Sequence, residues 1–277
     1  MGIKKQDGFT IIEISLFFAV SGLLLMTMLT GIGLAVQRQR FSDAVNSTQS
    51  FLQQQYNETQ ITLNDRDNTN DCGSSVDPKG TSNCLVIGKI VDLGLENPGA
   101  EESTIISYRV IVNQAGADDA AIAVPPLTDL AMLNDPSLNT RAIKDSNNDS
   151  SFTLPWGAKL SSIRDSAGSE TLLGSGPVRY ILLLRSPING LISTYKLSSS
   201  AELFNPSETS KSLTTGGNAI VPFSPSTNPP ASPSVKACIN SGDVSNAKAL
   251  LTIKPNGSQD GVTVGYDADA ESWCNAP

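Results

Sequence analysis

The chain has 277 residues, 39% of them hydrophobic and only 5% aromatic, with 19 Lys/Arg against 27 Asp/Glu for a formal charge of −8. Such an acidic body argues against a surface built to neutralise nucleic-acid phosphates, and the absence of histidine excludes Ser-His-Asp and Cys-His catalysis. The length suits one sizeable domain with room for an additional segment.

Residues Met1 to Gly8 form a short polar stretch carrying Lys4 and Lys5. From Phe9 to Val36 the chain is almost wholly apolar or small, yet Glu13 stands near its start and no Lys or Arg lies within it. The run exceeds the ~20 residues that cross a bilayer and is too long for a secretory h-region of about 7–15. A carboxylate at membrane depth costs about 2.5–3.5 kcal/mol on insertion scales, so a plain anchor has no use for Glu13 and a partner charge must come from outside the run.

The stretch Gly8-Phe9-Thr10-Ile11-Ile12-Glu13, with its basic leader and the apolar run behind it, resembles the type IV pilin and pseudopilin family. The likeness covers about the first 50 residues. It implies cleavage after Gly8 by a prepilin peptidase and N-methylation of Phe9. It also implies that Glu13 pairs with the Phe9 ammonium of a neighbouring subunit. Two opposite charges satisfy each other where either alone is destabilising. One departure stands out: many pilins carry a proline in the apolar half, and none lies between Phe9 and Val36. Gly22 stands at a comparable place; Gly31 and Gly33 read equally as sites that loosen the helix, at about 1 kcal/mol each relative to alanine, or as small residues that let helices pack closely.

Arg38 and Arg40 follow the run. The positive-inside tendency puts the cytoplasm on their side, whereas the leader puts it on the other. The pair is read here as the start of an exported helix surface. Phe41, Ala44, Val45, Thr48, Phe51, Leu52 and Tyr56 then recur at helical steps, opposite Gln37, Arg38, Asp43, Asn46, Gln53 and Asn57. This amphipathic pattern predicts one continuous helix from Phe9 to about Thr62, about 80 Å long.

Asn64 to Asn83 reads as a polar loop. Leu85–Val91 and Thr104–Val112 read as strands, Leu127–Leu133 as a short helix, and the rest to Gly176 as mostly irregular around weak strands at Phe152–Leu154 and Lys159–Ile163. Pro187-Ile188-Asn189-Gly190 predicts a hairpin between Val178–Leu184 and Leu191–Leu197. Pro255-Asn256-Gly257 predicts another between Leu250–Lys254 and Gly261–Tyr266. Ser198 to Ser234 is rich in Ser, Pro, Thr and Asn and reads as a long surface loop. Helix first and strands after predicts an α+β domain with an antiparallel sheet on the helix's C-terminal half, the architecture that the resemblance also implies. The expected organisation is a leader (1–8), a transmembrane or filament-core half-helix (9–36), an amphipathic half (37–62) and an exported β-rich head (63–277).

Cys72, Cys84, Cys238 and Cys274 make an even count that suits disulfides in an exported domain. Three connectivities are open, and proximity favours Cys72–Cys84 with Cys238–Cys274. The second resembles the disulfide-bounded C-terminal region of many type IV pilins. No C-x2-C pair supports zinc. Asp65/Asp67/Asp71, Asp145/Asn147/Asp149 and Asp267/Asp269/Glu271 offer alternating oxygen ligands for calcium; none has the EF-hand glycine and glutamate. Calcium-binding pseudopilins favour the third cluster, and otherwise no cofactor is expected. Ser193-x-x-Lys196 and Ser245-x-x-Lys248 match an acyl-serine spacing without its companion motifs, so no enzyme is expected. Trp156 and Trp273 are read as core or rim packing.

These features together predict a structural subunit of a type IV pilus, a minor pilin contributing to adhesion or motility. Its expected partners are the prepilin peptidase, other pilin subunits and an inner-membrane assembly platform. Its expected location is the bacterial cytoplasmic membrane and then an extracellular pilus. The alternatives are a pseudopilin of a type II secretion or DNA-uptake system, and a membrane-anchored binding protein that never polymerises.

Overall fold

The computed structural model describes residues 10–61, 84–94, 103–113, 140–144, 151–165, 180–186, 190–198, 210–212, 219–222, 234–242, 246–255, 261–266 and 272–274. One helix, α1 (Ile11–Ile61), opens the described chain. Strands follow as β1 (Cys84–Asp92), β2 (Thr104–Asn113), β3 (Arg141–Lys144), β4 (Ser151–Thr153), β5 (Lys159–Asp165), β6 (Tyr180–Arg185), β7 (Ile192–Ser198), β8 (Ser210–Ser212), β9 (Ala219–Pro222), β10 (Val235–Asn240), β11 (Lys248–Ile253) and β12 (Val262–Gly265). The fold is α+β, and every strand pairing is antiparallel.

The helix divides by burial. No residue from Thr10 to Arg40 is buried. Burial starts at Phe41 and continues through Ala44, Val45, Thr48, Phe51, Leu52, Gln55, Tyr56 and Thr59, the face that the helical spacing selects. These side chains enter one core with Val91 of β1, Ile181 and Leu183 of β6, Ala237 and Ile239 of β10, and Leu251 of β11. Phe51 also stacks on Phe152 with ring centroids 5.1 Å apart.

That core is lined by two sheets, not the single sheet expected. The larger runs β8-β3-β2-β1-β6-β7-β9 with β4 also on β2, and the smaller runs β12-β11-β10-β5. β6 pairs with β7 and β11 with β12, as the two predicted hairpins require. β1–β2 and β10–β11 also pair as chain neighbours, whereas β1–β6 and β5–β10 join strands distant in sequence. β5 crosses into the small sheet beside β10, and no local signal marks that move. A side chain at Gly88 of β1 would strike the Leu183 carbonyl of β6, so glycine is what lets the two central strands close.

Three expectations need correcting. The stretch 198–234 is not all loop, because β8 and β9 lie within it. Both are end strands that pair on one side only, with β3 and β7. Edges tolerate polar and proline residues, so Ser-Lys-Ser and the Pro222 end carry no apolar alternation. β3, only four residues long, lies in the stretch read as irregular, and β10 lies where no strand was expected, directly after a Ser/Pro-rich stretch. The expected helix 127–133 falls outside the described residues.

A buried polar cluster ties the helix to the larger sheet. Lys89 of β1 donates to Gln55 Oε1 at 2.8 Å and pairs with Glu58. Tyr56 and Thr194 of β7 share a hydroxyl hydrogen bond of 2.8 Å. Burial pushes the Tyr56 phenol up to about 12, against the opposing pull of that bond.

Candidate functional site

The site with distinctive chemistry is the free half of α1. It is the one helix among the described residues that is long and apolar enough to cross a membrane. Ile12, Leu16, Phe17, Leu24 and Met28 are all well exposed, so this half contributes nothing to the core. Three of its hydroxyls bond back onto the helix. Ser15 donates to the Ile12 carbonyl, Thr27 to Leu24 and Thr30 to Thr27, each at 2.9 Å. Back-bonding of this kind removes polar groups from a lipid-facing surface.

Glu13 is the exception, and its local chemistry is specific. The Thr10 backbone N–H donates to Glu13 Oε2 at 3.0 Å, and the Thr10 hydroxyl donates to the same oxygen at 3.1 Å. The Glu13 N–H donates back to the Thr10 hydroxyl at 3.3 Å. This reciprocal arrangement is a capping box, in which Thr and Glu three residues apart satisfy orphan donors at a helix start. Thr10-Ile11-Ile12-Glu13 carries that signature in the sequence. Both donors converge on Oε2, and among the described residues Oε1 accepts no bond. The carboxylate therefore closes its own helix through Oε2.

Other expected site residues are placed differently. Cys238 of β10 is bonded to Cys274 with Cα atoms 5.7 Å apart, a link spanning 36 positions. Cys84 opens β1; Cys72, Gly8, Phe9 and the cluster Asp267, Asp269 and Glu271 lie outside the described residues. So do the other two acidic clusters. Ser193 and Lys196 both lie in β7, where residues three apart point to opposite faces.

No family model, curated protein or solved structure matches the chain.

Trp156, read as core or rim packing, is at the rim. It is 57% exposed rather than packed into the core, and the Arg40 guanidinium lies 4.9 Å from its ring centroid. No sequence signal joins two residues so far apart.

Proposed function

We propose that the chain is a subunit of a type IV pilus-like filament, a minor pilin that supports adhesion or motility. It is processed after Gly8, held in a bacterial cytoplasmic membrane through Phe9 to Val36, and assembled through α1. The supporting observation is the exposed Glu13 at the head of a helix half that none of the described residues of the head covers. Such a helix is soluble only in lipid or against other helices. Glu13 Oε1 suits the ammonium of a neighbouring chain, and one axial offset alone brings the charges together. The two-sheet head, seated only on the second half of α1, leaves the first half free to pack in a filament.

The capping box favours a second reading: a plain anchor in which Glu13 serves only its own helix. Glutamine also completes a capping box but carries no charge. In the filament reading, Glu13→Gln keeps the membrane level of the protein and lowers its recovery in sheared filaments at least about tenfold, as expected when one member of a desolvated ion pair is lost. Undiminished incorporation of Glu13→Gln rejects the ion pair and leaves the anchor. Intact mass and N-terminal sequencing complete the test: the filament reading requires a chain that starts at N-methyl-Phe9.

A further inference from the structure

Trp156 sits in a single 3-10 turn, Pro155–Gly157, with φ 63 and ψ 25. Left-handed backbone is costly for a bulky residue, about 1–3 kcal/mol, and persists only where the surroundings impose it. They do so here. Gly157 is also left-handed, and Gly242 packs so closely on its carbonyl that no side chain fits there. The strained turn gains little burial inside the head, because it turns the indole outward onto Arg40.

The depth of this pair is informative. Arg40 follows Val36, the last apolar residue, by four positions, a rise of about 6 Å along the helix. The polar margin of a bilayer is about 5–8 Å thick on each side of the hydrocarbon. Tyr266 is also exposed, but its hydroxyl reaches Asn46, about 15 Å beyond Val36 and outside that margin. Tryptophan concentrates at this level of membranes because its ring is apolar and its N–H polar. Stacking on the indole leaves the guanidinium edge able to donate to phosphate. Arg38, two positions before Arg40, is exposed as well. Lys159 and Lys248 flank Asn240 in register at the same end of the small sheet.

We propose that Trp156 and Arg40 form a lipid-headgroup contact that seats the head on an anionic membrane surface where α1 emerges. The inference rests on the reading that the apolar half of α1 spans the bilayer. The contact fixes the height and rotation of the head before any assembly, with the indole at the glycerol level and the Arg40 guanidinium on phosphate.

The test uses the full chain in phosphatidylglycerol-containing vesicles. A Trp273→Phe background leaves Trp156 as the sole indole. Quenchers attached to the lipid headgroup or upper acyl chain quench Trp156 strongly, and those near the chain terminus quench it weakly. Arg40→Gln lowers the docked-to-undocked ratio about fivefold, the weight of one basic residue near an anionic surface. A Leu24→Trp reporter in a chain also carrying Trp156→Phe and Trp273→Phe reads the spanning helix separately. Deep quenching of that reporter with no lipid quenching of Trp156 overturns the headgroup contact and leaves the anchor intact. Loss of both signals overturns both. Trp156 emission that responds to protein density but not to lipid quenchers assigns the patch to a neighbouring subunit and rejects the proposal.

Discussion

Tyr56 and Lys89 show how single polar groups lock a helix beneath a sheet. Removing the Tyr56 hydroxyl leaves buried Thr194 without its partner, so Tyr56→Phe costs about 1–2 kcal/mol, measurable by denaturant unfolding of the full chain in detergent. The pH dependence has a definite sign. The folded phenol titrates near 12 and an unfolded one near 10, so above pH 10 the unfolded chain holds fewer protons. Stability contributed by the neutral phenol is complete below about pH 10 and is lost as the pH rises towards 12. The wild-type alkaline slope in that window exceeds that of Tyr56→Phe; equal slopes contradict a buried phenol. Lys89 is held by Gln55 and Glu58 with 10% of its side chain exposed, against 29% for Glu58. Lys89→Met strands Gln55, and the solvent reaching Glu58 moderates the penalty to about 2–3 kcal/mol. The burial of Tyr56 under a sheet was legible from its helical spacing, but Lys89 was not legible as a partner, because a lysine in an alternating strand reads as solvent-facing until the helix is laid over it.

The elements that pattern reveals are those whose burial is continuous. The second half of α1 and strands β1, β2, β6 and β11 pack at least one face into a core, so their apolar periodicity is strong. β3, β8 and β9 are short, and the latter two are terminal strands held mostly by backbone pairing, which leaves no mark in side-chain type. β10 presents Ala237, Cys238 and Ile239 to the interior, but it follows a Ser/Pro-rich stretch and has no hairpin turn before it. The Cys238–Cys274 bond links this strand to the helical turn at 272–274. A loop of that length restricts the unfolded chain by about 4 kcal/mol in the chain-entropy account. Cys274→Ala is therefore expected to lower unfolding stability by about 2–4 kcal/mol without changing the strand content seen by circular dichroism. A shift under about 0.5 kcal/mol means that the small sheet is held by its apolar packing alone. Phe51→Ala, which empties a stacked position between helix and β4, is expected to cost about 3–5 kcal/mol in the same assay.

At the scale of the whole molecule, the chain divides its helix between two solvents. Residues 11–40 bury nothing in the head, while Phe41 to Thr59 supply one wall of its core. The division was legible from composition, since an unbroken apolar run passes into a one-sided stripe at Gln37. What covers the stripe was not legible, because the second sheet is assembled from β5 and β10, which are distant in sequence. The consequence is that the head does not need the first half of the helix. A chain starting at Gln37 discards exposed apolar surface and keeps every buried helix residue, and its helix begins one turn before Phe41. It is expected to be soluble without detergent, to keep its two-sheet fold and the Cys238–Cys274 bond, and to unfold within about 1 kcal/mol of the full chain, the few lost end-of-helix bonds being solvent-exposed. It should also fail to enter membranes or filaments, since the spanning helix and Glu13 are gone. Aggregation of this fragment, or a transition without cooperativity, would mean that the apolar half helps to hold the head together. The sharp division of burial at Phe41 argues the reverse, because a core residue that matters to folding is one that leaves water when the chain folds, and none of the residues before Phe41 does so within a single copy.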